Sequence, residues 1–357
     1  MINEHAINEA ILKIRNNESL QLIIAQKLRS QTEDFNFRES FEKKLINPVK
    51  DMVVEGKIAA VDGGLLAEEL HSIDLVLTRA CGVVFDYKNS KLVKNVCYPS
   101  SFPDYEVSIP TALDSHEAIW FRNIARLEKE IRTAADTIAK YSPKAMFLDG
   151  SIIPQVSDKP SKDSETYVQY EKLISEYFRL FSIAQEKGCM LAGIIKDSRG
   201  KQFLNIIEKH FKLTLEEIAT LHKTNDSSFL YNMLQEKERT FAFKYATAAE
   251  HPILRDFRQY ADRIASFYLR AVKYDRALRV DFLLPEKDGS TLEELSSLIY
   301  SLSKHNSQYA YPAVLIEADL RAAMDPKELE IVYNRIFSSI GLRSSIFKLR
   351  RNIRPFR

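Results

Sequence analysis

The sequence predicts an α/β fold in which a mixed sheet is flanked by helices. Short apolar strands alternate with long amphipathic helices along the chain, which is the pattern of a layered α/β protein. The apolar segment 73–87 follows the short strand 57–62 closely, so we expect an antiparallel pair there rather than a purely parallel sheet. About 45% of the 357 residues are hydrophobic, which is enough for a sizeable core.

Each element is predicted from its own pattern. Apolar residues at three- and four-residue spacing predict helix over 5–46, and KIAAVD at 57–62 is a short apolar run that predicts a buried strand. The other predictions are one or two strands in 73–87, irregular chain over 97–110, helix over 113–140, a strand at 144–149, helix over 166–187, a strand at 189–196, mixed helical and strand segments over 201–285, a strand at 278–284, and helices over 291–304 and 326–337.

These elements divide the chain into three regions. Residues 1–50 are an N-terminal helical region, 51–340 are the main α/β domain with a helical insertion at about 205–285, and 341–357 are a basic tail. The net charge is only +2, but the last fifteen residues hold six basic side chains and no acid. Arg350, Arg351 and Arg354 in this tail are candidates for DNA phosphate contacts, while a dimer-interface role or a solvated basic end stays open.

The composition indicates in which compartment the protein works and excludes some classes of enzyme. No apolar run approaches the ~20 residues of a membrane helix, and the polar N-terminus is unlike a secretory signal. We therefore expect a cytoplasmic protein with no membrane association. Cys81, Cys97 and Cys189 form no pair with metal-ligand spacing, which argues against a zinc-ribbon nuclease or a cysteine hydrolase.

Two short motifs share one design. In Val61-Asp62-Gly63-Gly64 and in Leu148-Asp149-Gly150-Ser151, an apolar strand is followed by a carboxylate and then by glycine, which leaves the backbone free to turn or to approach a ligand closely. Carboxylates on neighbouring strands would suit a hard cation such as Mg²⁺ or Mn²⁺. The chemistry that fits is metal-assisted phosphodiester hydrolysis with two ions ~3.5–4 Å apart.

An acid on the helix 113–140 would complete this set of ligands. Glu117, Glu128 and Glu130 are the candidates, and we take Glu128 as the expected catalytic and metal-binding residue. Because Glu128 and Glu130 are two positions apart, or roughly 200° around a helix, both cannot face one site.

Three further residues are candidates for supporting roles. Lys196, in Lys196-Asp197-Ser198-Arg199, is expected to neutralise the scissile phosphate, and Arg199 to bind backbone phosphates, although a basic surface turn is an equal alternative. Asp226 is a candidate for an extra ligand or for a position just behind the ligands. N-capping of a helix would explain it equally well.

The order of these motifs resembles the NurA nuclease family. VDGG, a helix with Arg126-x-Glu128, FLDGS and GIIKDSR occur in that order, followed by Asn225-Asp226-x-x-Phe229-Leu230, Glu238-Arg239-Thr240, Tyr311-Pro312 and Leu315-Ile316-Glu317-Ala318-Asp319. The resemblance spans roughly 55–335. It implies a ribonuclease-H-like core, usually dimeric, with Asp62, the helix acid and Asp149 as Mn²⁺ ligands and Asp319 as a further catalytic or metal-binding candidate. It also implies 5′→3′ exonuclease and single-strand endonuclease activity on DNA ends, and a hexameric HerA translocase as partner.

The chain departs from the family pattern at two places. Gly64 stands where the family usually has serine, so any role for that hydroxyl is lost. Asp319 stands where histidine is frequent; aspartate still binds a hard metal but cannot act as a neutral imidazole.

Two alternatives follow from these departures and from the motif design. One is a scaffold subunit that binds DNA without cutting it. The other is an ATPase of the actin and sugar-kinase type, which also has Asp-Gly after strands. Such an ATPase needs glycine-rich phosphate loops, and the ten glycines here are scattered.

Overall fold

The computed structural model describes residues 4–31, 33–71, 73–285 and 291–341. The chain forms two compact units, each built from several segments. Unit 1 consists of 1–53, 193–251 and 259–312, and unit 2 consists of 54–192, 252–258 and 313–357. The predicted tail residues Arg350, Arg351 and Arg354 lie outside the described residues.

The described residues form helices and strands in the following order. The first half contains α1 (Glu4–Arg29), β1 (Ile46–Pro48), β2 (Gly56–Glu69), β3 (Asp74–Lys88), β4 (Lys91–Tyr98), β5 (Glu106–Ser108), α2 (Ser115–Tyr141), β6 (Ala145–Asp149) and α3 (Tyr167–Glu186). The second half contains β7 (Met190–Ile195), α4 (Gln202–His210), α5 (Leu215–Leu221), α6 (Asp226–Met233), β8 (Glu238–Thr240), β9 (Phe243–Lys244), β10 (Ile264–Arg270), β11 (Leu278–Leu283), α7 (Thr291–Ser303), α8 (Ala313–Ala322) and α9 (Pro326–Ile340). Short 3₁₀ segments occupy Val156–Asp158 and Leu254–Arg263.

Unit 2 is built on a mixed sheet. Its strand order is β7-β6-β2-β3-β4, with β5 paired to β3. β2, β3 and β4 are successive antiparallel neighbours, whereas β2 and β6 are parallel. The predicted mixed α/β sheet flanked by helices is therefore confirmed, and the strand order is that of the ribonuclease-H-like core that the family resemblance implied.

The two helices α2 and α8 pack on opposite faces of this sheet. Asp114 caps the start of α2 in a capping box: its side chain accepts from the backbone N–H groups of His116 and Glu117, and the Glu117 side chain accepts from the Asp114 N–H. Gly82 on β3 lets α2 approach closely, since a Cβ there would lie 2.3 Å from the Thr137 hydroxyl. On the other face, Gly64 of β2 lies directly against the carbonyl of Ala322 at the end of α8.

The first Asp-Gly motif does not end a strand. The sequence predicted that the strand stops at Asp62, but β2 continues to Glu69 and pairs with β3 from Gly56↔Tyr87 to Glu69↔Asp74. The backbone hydrogen bonds of this long hairpin keep Gly63 and Gly64 extended, so these glycines serve close approach of other elements rather than a turn. The second motif does end its strand, and Gly150 has a φ of +114°, which only glycine adopts readily.

Unit 1 has its own strands and its own core. β1, β8, β10 and β11 are neighbours in that order, and β9 pairs with β10. α1 ends at Arg29, earlier than the predicted 46, because the following chain supplies aromatic side chains instead of a helical stripe. Phe35 and Phe37 stack with ring centroids 4.4 Å apart and pack on the buried cluster that contains Phe203 and Phe241. Within the described part of the chain, none of the helices has the length and apolar character needed to cross a membrane.

Candidate metal centre

Three aspartates of unit 2 converge on one point. The parallel register of β2 and β6 pairs Val61 with Leu148, so the next residues, Asp62 and Asp149, lie side by side where β6 ends. Asp319 on α8 reaches the same place from the face that Asp62 occupies. One carboxylate oxygen from each of the three lies within 4.8 Å of the others. The structure thus brings Asp62 and Asp149 together on neighbouring strands, and Asp319 joins them.

Burial and like charge disfavour the ionised form of the carboxylates in this cluster. Asp62 is buried, and burial together with the charge of Asp149 raises its pKa to about 7, although the Gly63 N–H, 2.7 Å from Asp62 Oδ1, works in the opposite direction. A carboxyl whose pKa is raised by burial and like charge is stabilised as an anion by a nearby cation. Three oxygen ligands of this kind fit a divalent ion such as Mn²⁺ or Mg²⁺.

Glu130 is the buried acid of α2 that interacts electrostatically with Asp62 and Asp149 of this cluster. Its side chain is 2% exposed, and burial is the main reason that its pKa is raised to about 8. The charges of Asp62 and Asp149 also raise that pKa, while Arg126, whose Nη1 donates to Glu130 Oε2 at 3.0 Å, lowers it. Gly63 makes room for this carboxylate, because a Cβ at residue 63 would lie 3.2 Å from Glu130 Oε2.

The structure does not bring Glu128, the helix acid expected from the sequence, to the cluster. Glu128 lines a surface pocket with Glu106, Lys129 and Arg132. The reason is the helical rotation of roughly 200° between the two glutamates, which turns Glu130 toward β2 and Glu128 away from it. Glu117, the third candidate, accepts from Ser164 Oγ at 2.8 Å and completes the capping box of α2.

A usable signal for Glu130 was present in the sequence. Ala134 and Ile138 follow Glu130 at i+4 and i+8, so Glu130 belongs to the buried stripe of α2, whereas Glu128 has the charged Arg132 at i+4. An acid on the apolar stripe of an amphipathic helix is buried when the helix packs, and a buried acid is costly unless it has a partner.

The packing of α8 explains why residue 64 is glycine. A Cβ added at Gly64 would lie 2.2 Å from the Ala322 carbonyl oxygen, which is far inside contact distance. The same approach of α8 to β2 places Asp319, one helical turn before Ala322, beside Asp62. The glycine at residue 64 and the position of Asp319 thus share one structural cause.

Lys196 and Arg199 lie just after β7, in unit 1. The Lys196 ammonium is 4.3 Å from the ring centroid of Tyr311, whose hydroxyl donates to the Ile194 carbonyl at 3.4 Å. Tyr311 is buried, so it holds this lysine against a rigid aromatic face. Arg199 is exposed.

Asp226, also in unit 1, holds the start of α4. Its two carboxylate oxygens accept from the backbone N–H groups of Phe203 and Leu204, each at 3.0 Å, and Tyr268 donates its hydroxyl at 3.0 Å. Lys201, the N-cap residue directly before α4, makes no side-chain cap bond. Burial raises the pKa of Asp226 to about 6 despite these donors. Its acceptor capacity is used within unit 1, where it caps a helix other than its own.

A family model and solved structures identify the relationship of this chain. The model described as the NurA domain matches residues 56–324. The chain belongs to the NurA family. No curated protein matches it in sequence.

The solved structures agree with the NurA assignment at the level of fold. The NurA nuclease from Sulfolobus solfataricus is 17% identical, with 96% of this chain and 99% of that chain covered and a TM-score of 0.62. A second NurA structure is 9% identical, with 83% and 90% covered and a TM-score of 0.51. A NurA structure bound to dAMP and manganese is 11% identical, with 96% and 98% covered and a TM-score of 0.50. The predicted fold class is confirmed by these likenesses.

Proposed function

We propose that this chain is a metal-dependent nuclease that hydrolyses phosphodiester bonds of DNA. The observation that supports this most directly is the convergence of Asp62, Asp149 and Asp319 within 4.8 Å in a chain of the NurA family. A related NurA structure contains dAMP and manganese, a nucleotide and a divalent cation, which is the pairing that this chemistry requires. We therefore propose Mn²⁺, or Mg²⁺, as the cofactor.

The four acids divide into three proposed cation ligands and one supporting glutamate. Asp62, Asp149 and Asp319 would hold the cation, and Glu130, rather than Glu128, would complete the acidic shell from α2. When bound, divalent metal ions activate water and neutralise charge on phosphate, and we propose two of them. Asp62 and Glu130, whose pKa values are about 7 and 8, would lose their protons as the metal binds.

The cationic candidates would contact the DNA backbone. Lys196, fixed against Tyr311, is the proposed partner of the scissile phosphate, and the exposed Arg199 is a proposed backbone contact. We retain Arg350, Arg351 and Arg354 as candidates of the same kind. Affinity for DNA should then fall steeply with salt.

The finer biological role rests on family membership. We propose 5′→3′ exonuclease activity on single- and double-stranded DNA and endonuclease activity on single strands, in the resection of DNA ends during repair. The proposed partners are a second copy of the chain and a HerA-type hexameric translocase, in the cytoplasm.

The test is cleavage of end-labelled single- and double-stranded DNA with Mn²⁺, with Mg²⁺ or with EDTA. We expect cleavage with metal, none with EDTA, and a loss on the order of 100-fold or more in Asp62→Asn and Asp149→Asn. Circular dichroism of both variants checks that they fold.

A scaffold subunit would bind DNA without cleaving it, which is the opposite result. If wild-type protein binds DNA but leaves it intact with every metal, with or without the translocase, the nuclease proposal fails and the DNA-binding subunit takes its place. Products released from the 5′ end as mononucleotides would support the proposed polarity, whereas release from the 3′ end would overturn it.

A further inference from the structure

The loop between β4 and β5 presents an aromatic ring to solvent. Phe102 is 76% exposed, more than any other aromatic residue among the exposed large side chains of the described chain. The next residue, Pro103, is buried and anchors the loop. An exposed phenyl ring contributes little to folding, because an apolar side chain stabilises the fold through the surface that it removes from water.

One face of the Phe102 ring is already covered by a cation. The guanidinium of Arg321 lies 5.1 Å from the ring centroid and donates to the Ser101 carbonyl at 3.5 Å. Glu317, one turn earlier on α8, accepts from Arg321 Nε at 2.8 Å and fixes the guanidinium in place. Phe102 is therefore held from one side in a defined orientation, and it is exposed to solvent elsewhere.

The loop also lies on the same face of the sheet as the metal ligands. Asp62 on β2 is paired with Cys81 on β3, and paired residues of an antiparallel ladder share a face. The Cys81 thiol donates to the Ser100 carbonyl at 3.7 Å, two residues before Phe102. These steps put the ring on the order of 10–15 Å from Asp62. At about 3.4 Å for each stacked step, three or four nucleotides cover that distance.

We propose that Phe102, backed by Arg321, is a stacking platform for an unpaired base of the DNA strand near the cut. The inference rests on the proposed nuclease function and specifies its substrate: a single strand a few nucleotides long on one side of the scissile bond. Aromatic faces bind any base, and a base inside a duplex is already stacked on both sides. Phe102 therefore gives the site a preference for unpaired ends without a preference for sequence.

The test compares Phe102→Ala with Phe102→Trp in the full-length chain. A series of single-stranded oligonucleotides carries one 2-aminopurine each, placed in turn at the first to the sixth nucleotide. Binding is measured with Ca²⁺ in place of Mn²⁺. We expect wild type and Phe102→Trp to quench the fluorophore most at the third or fourth position, and Phe102→Ala to lose that quenching. We also expect Phe102→Ala to raise the KM for single strands by roughly 5- to 100-fold, with a smaller effect on blunt duplex.

Val93→Ala is the matched control, because Val93 is also an exposed apolar residue of unit 2, at 60%, but lies on β4 and not on this loop. The salt dependence of binding adds a second readout, since losing a stacking partner leaves its slope unchanged whereas losing a phosphate contact lowers it.

Three outcomes would overturn the platform. The first is a Phe102→Ala protein whose fluorescence quenching and KM equal those of wild type. A second is a change of oligomeric state in Phe102→Ala with unchanged DNA binding, which would make the ring a contact between copies of the chain. The third is a wild-type protein that binds no DNA. If wild type shows the position-specific quenching but never cleaves with Mn²⁺, the platform stands and the nuclease proposal fails.

Discussion

At the scale of single residues, Glu130 and Glu128 of α2 have different surroundings, and only Glu130 is proposed to act with the metal ligands. Glu130 is buried and interacts electrostatically with Asp62 and Asp149, while Glu128 lines a surface pocket with basic neighbours. We expect Glu130→Gln to lower kcat by roughly 10- to 100-fold, and Glu128→Gln to stay within a few-fold of wild type. Steady-state cleavage with Mn²⁺ measures both. Equal losses in the two variants would contradict the geometry of the helix.

Gly64 gives a second prediction at this scale. Alanine at residue 64 puts a Cβ 2.2 Å from the Ala322 carbonyl, so either α8 moves or β2 bends. Because backbone must shift, we expect Gly64→Ala and Gly64→Ser to destabilise the fold by roughly 1–3 kcal/mol and to weaken Mn²⁺ binding, since α8 holds Asp319. Thermal unfolding with and without Mn²⁺ checks this. A Gly64→Ser protein as stable as wild type would show that the close approach of α8 is not needed.

The residues differ in how far sequence alone could predict them. The proximity of Asp62 and Asp149 was predictable, because a strand followed by an acid and a glycine is a local signal. Neighbouring strands then bring the two acids together. The roles of Gly63 and Gly64 were not, because each depends on a helix distant in sequence that packs on its face of β2. Glu128 was chosen from a short motif, whereas the buried stripe of α2 indicates Glu130.

At the scale of elements, strand and helix identity was predictable and the lengths of several elements were not. β2 runs on past its glycines because β3 pairs with it along its full length, and pairing overrides the weak strand preference of Gly-Gly. α1 stops at Arg29 because Phe35 and Phe37 are drawn into the core of unit 1. In both cases the deciding contacts are tertiary, so a local pattern does not contain them.

The start of α4 provides the prediction at this scale. Asp226 accepts two backbone N–H groups there, and Asn225 next to it caps α6 by accepting from Ser228 N at 2.9 Å. We expect Asp226→Ala to cost roughly 1–3 kcal/mol of folding free energy, because two buried N–H donors lose their partner. Asn225→Ala, the matched control, should cost about 1 kcal/mol.

Activity separates this structural role from a role behind the metal ligands. Well below its unfolding temperature, Asp226→Ala should keep the kcat and Mn²⁺ affinity of wild type. A tenfold or larger loss of Mn²⁺ affinity in a folded Asp226→Ala protein would restore the role near the metal that the sequence suggested.

At the scale of the whole molecule, the acidic cluster links folding to pH and to metal. The pKa of Asp62 in the folded chain is about 7 and that of Glu130 about 8, both above the values near 4 of unfolded chains. Folding therefore favours the protonated forms. Their contribution to stability is fully present below about pH 4 and is lost as pH rises through about 7 and 8.

The metal-free protein should consequently lose stability between pH 5.5 and 8.5, a range chosen as about the span of these two titrations. Asp62→Asn removes one of the titrating groups, so in EDTA it should lose less over that range and should equal or exceed wild type at the alkaline end. Mn²⁺ should reverse the order: it binds only the folded wild type tightly and stabilises it by about 2.7 kcal/mol at a hundredfold excess over its Kd. Thermal unfolding of both proteins across pH, with EDTA or Mn²⁺, measures this. Parallel pH curves for the two proteins in EDTA would mean that Asp62 is ionised without a metal, and the cluster would then not depend on a cation to be stable.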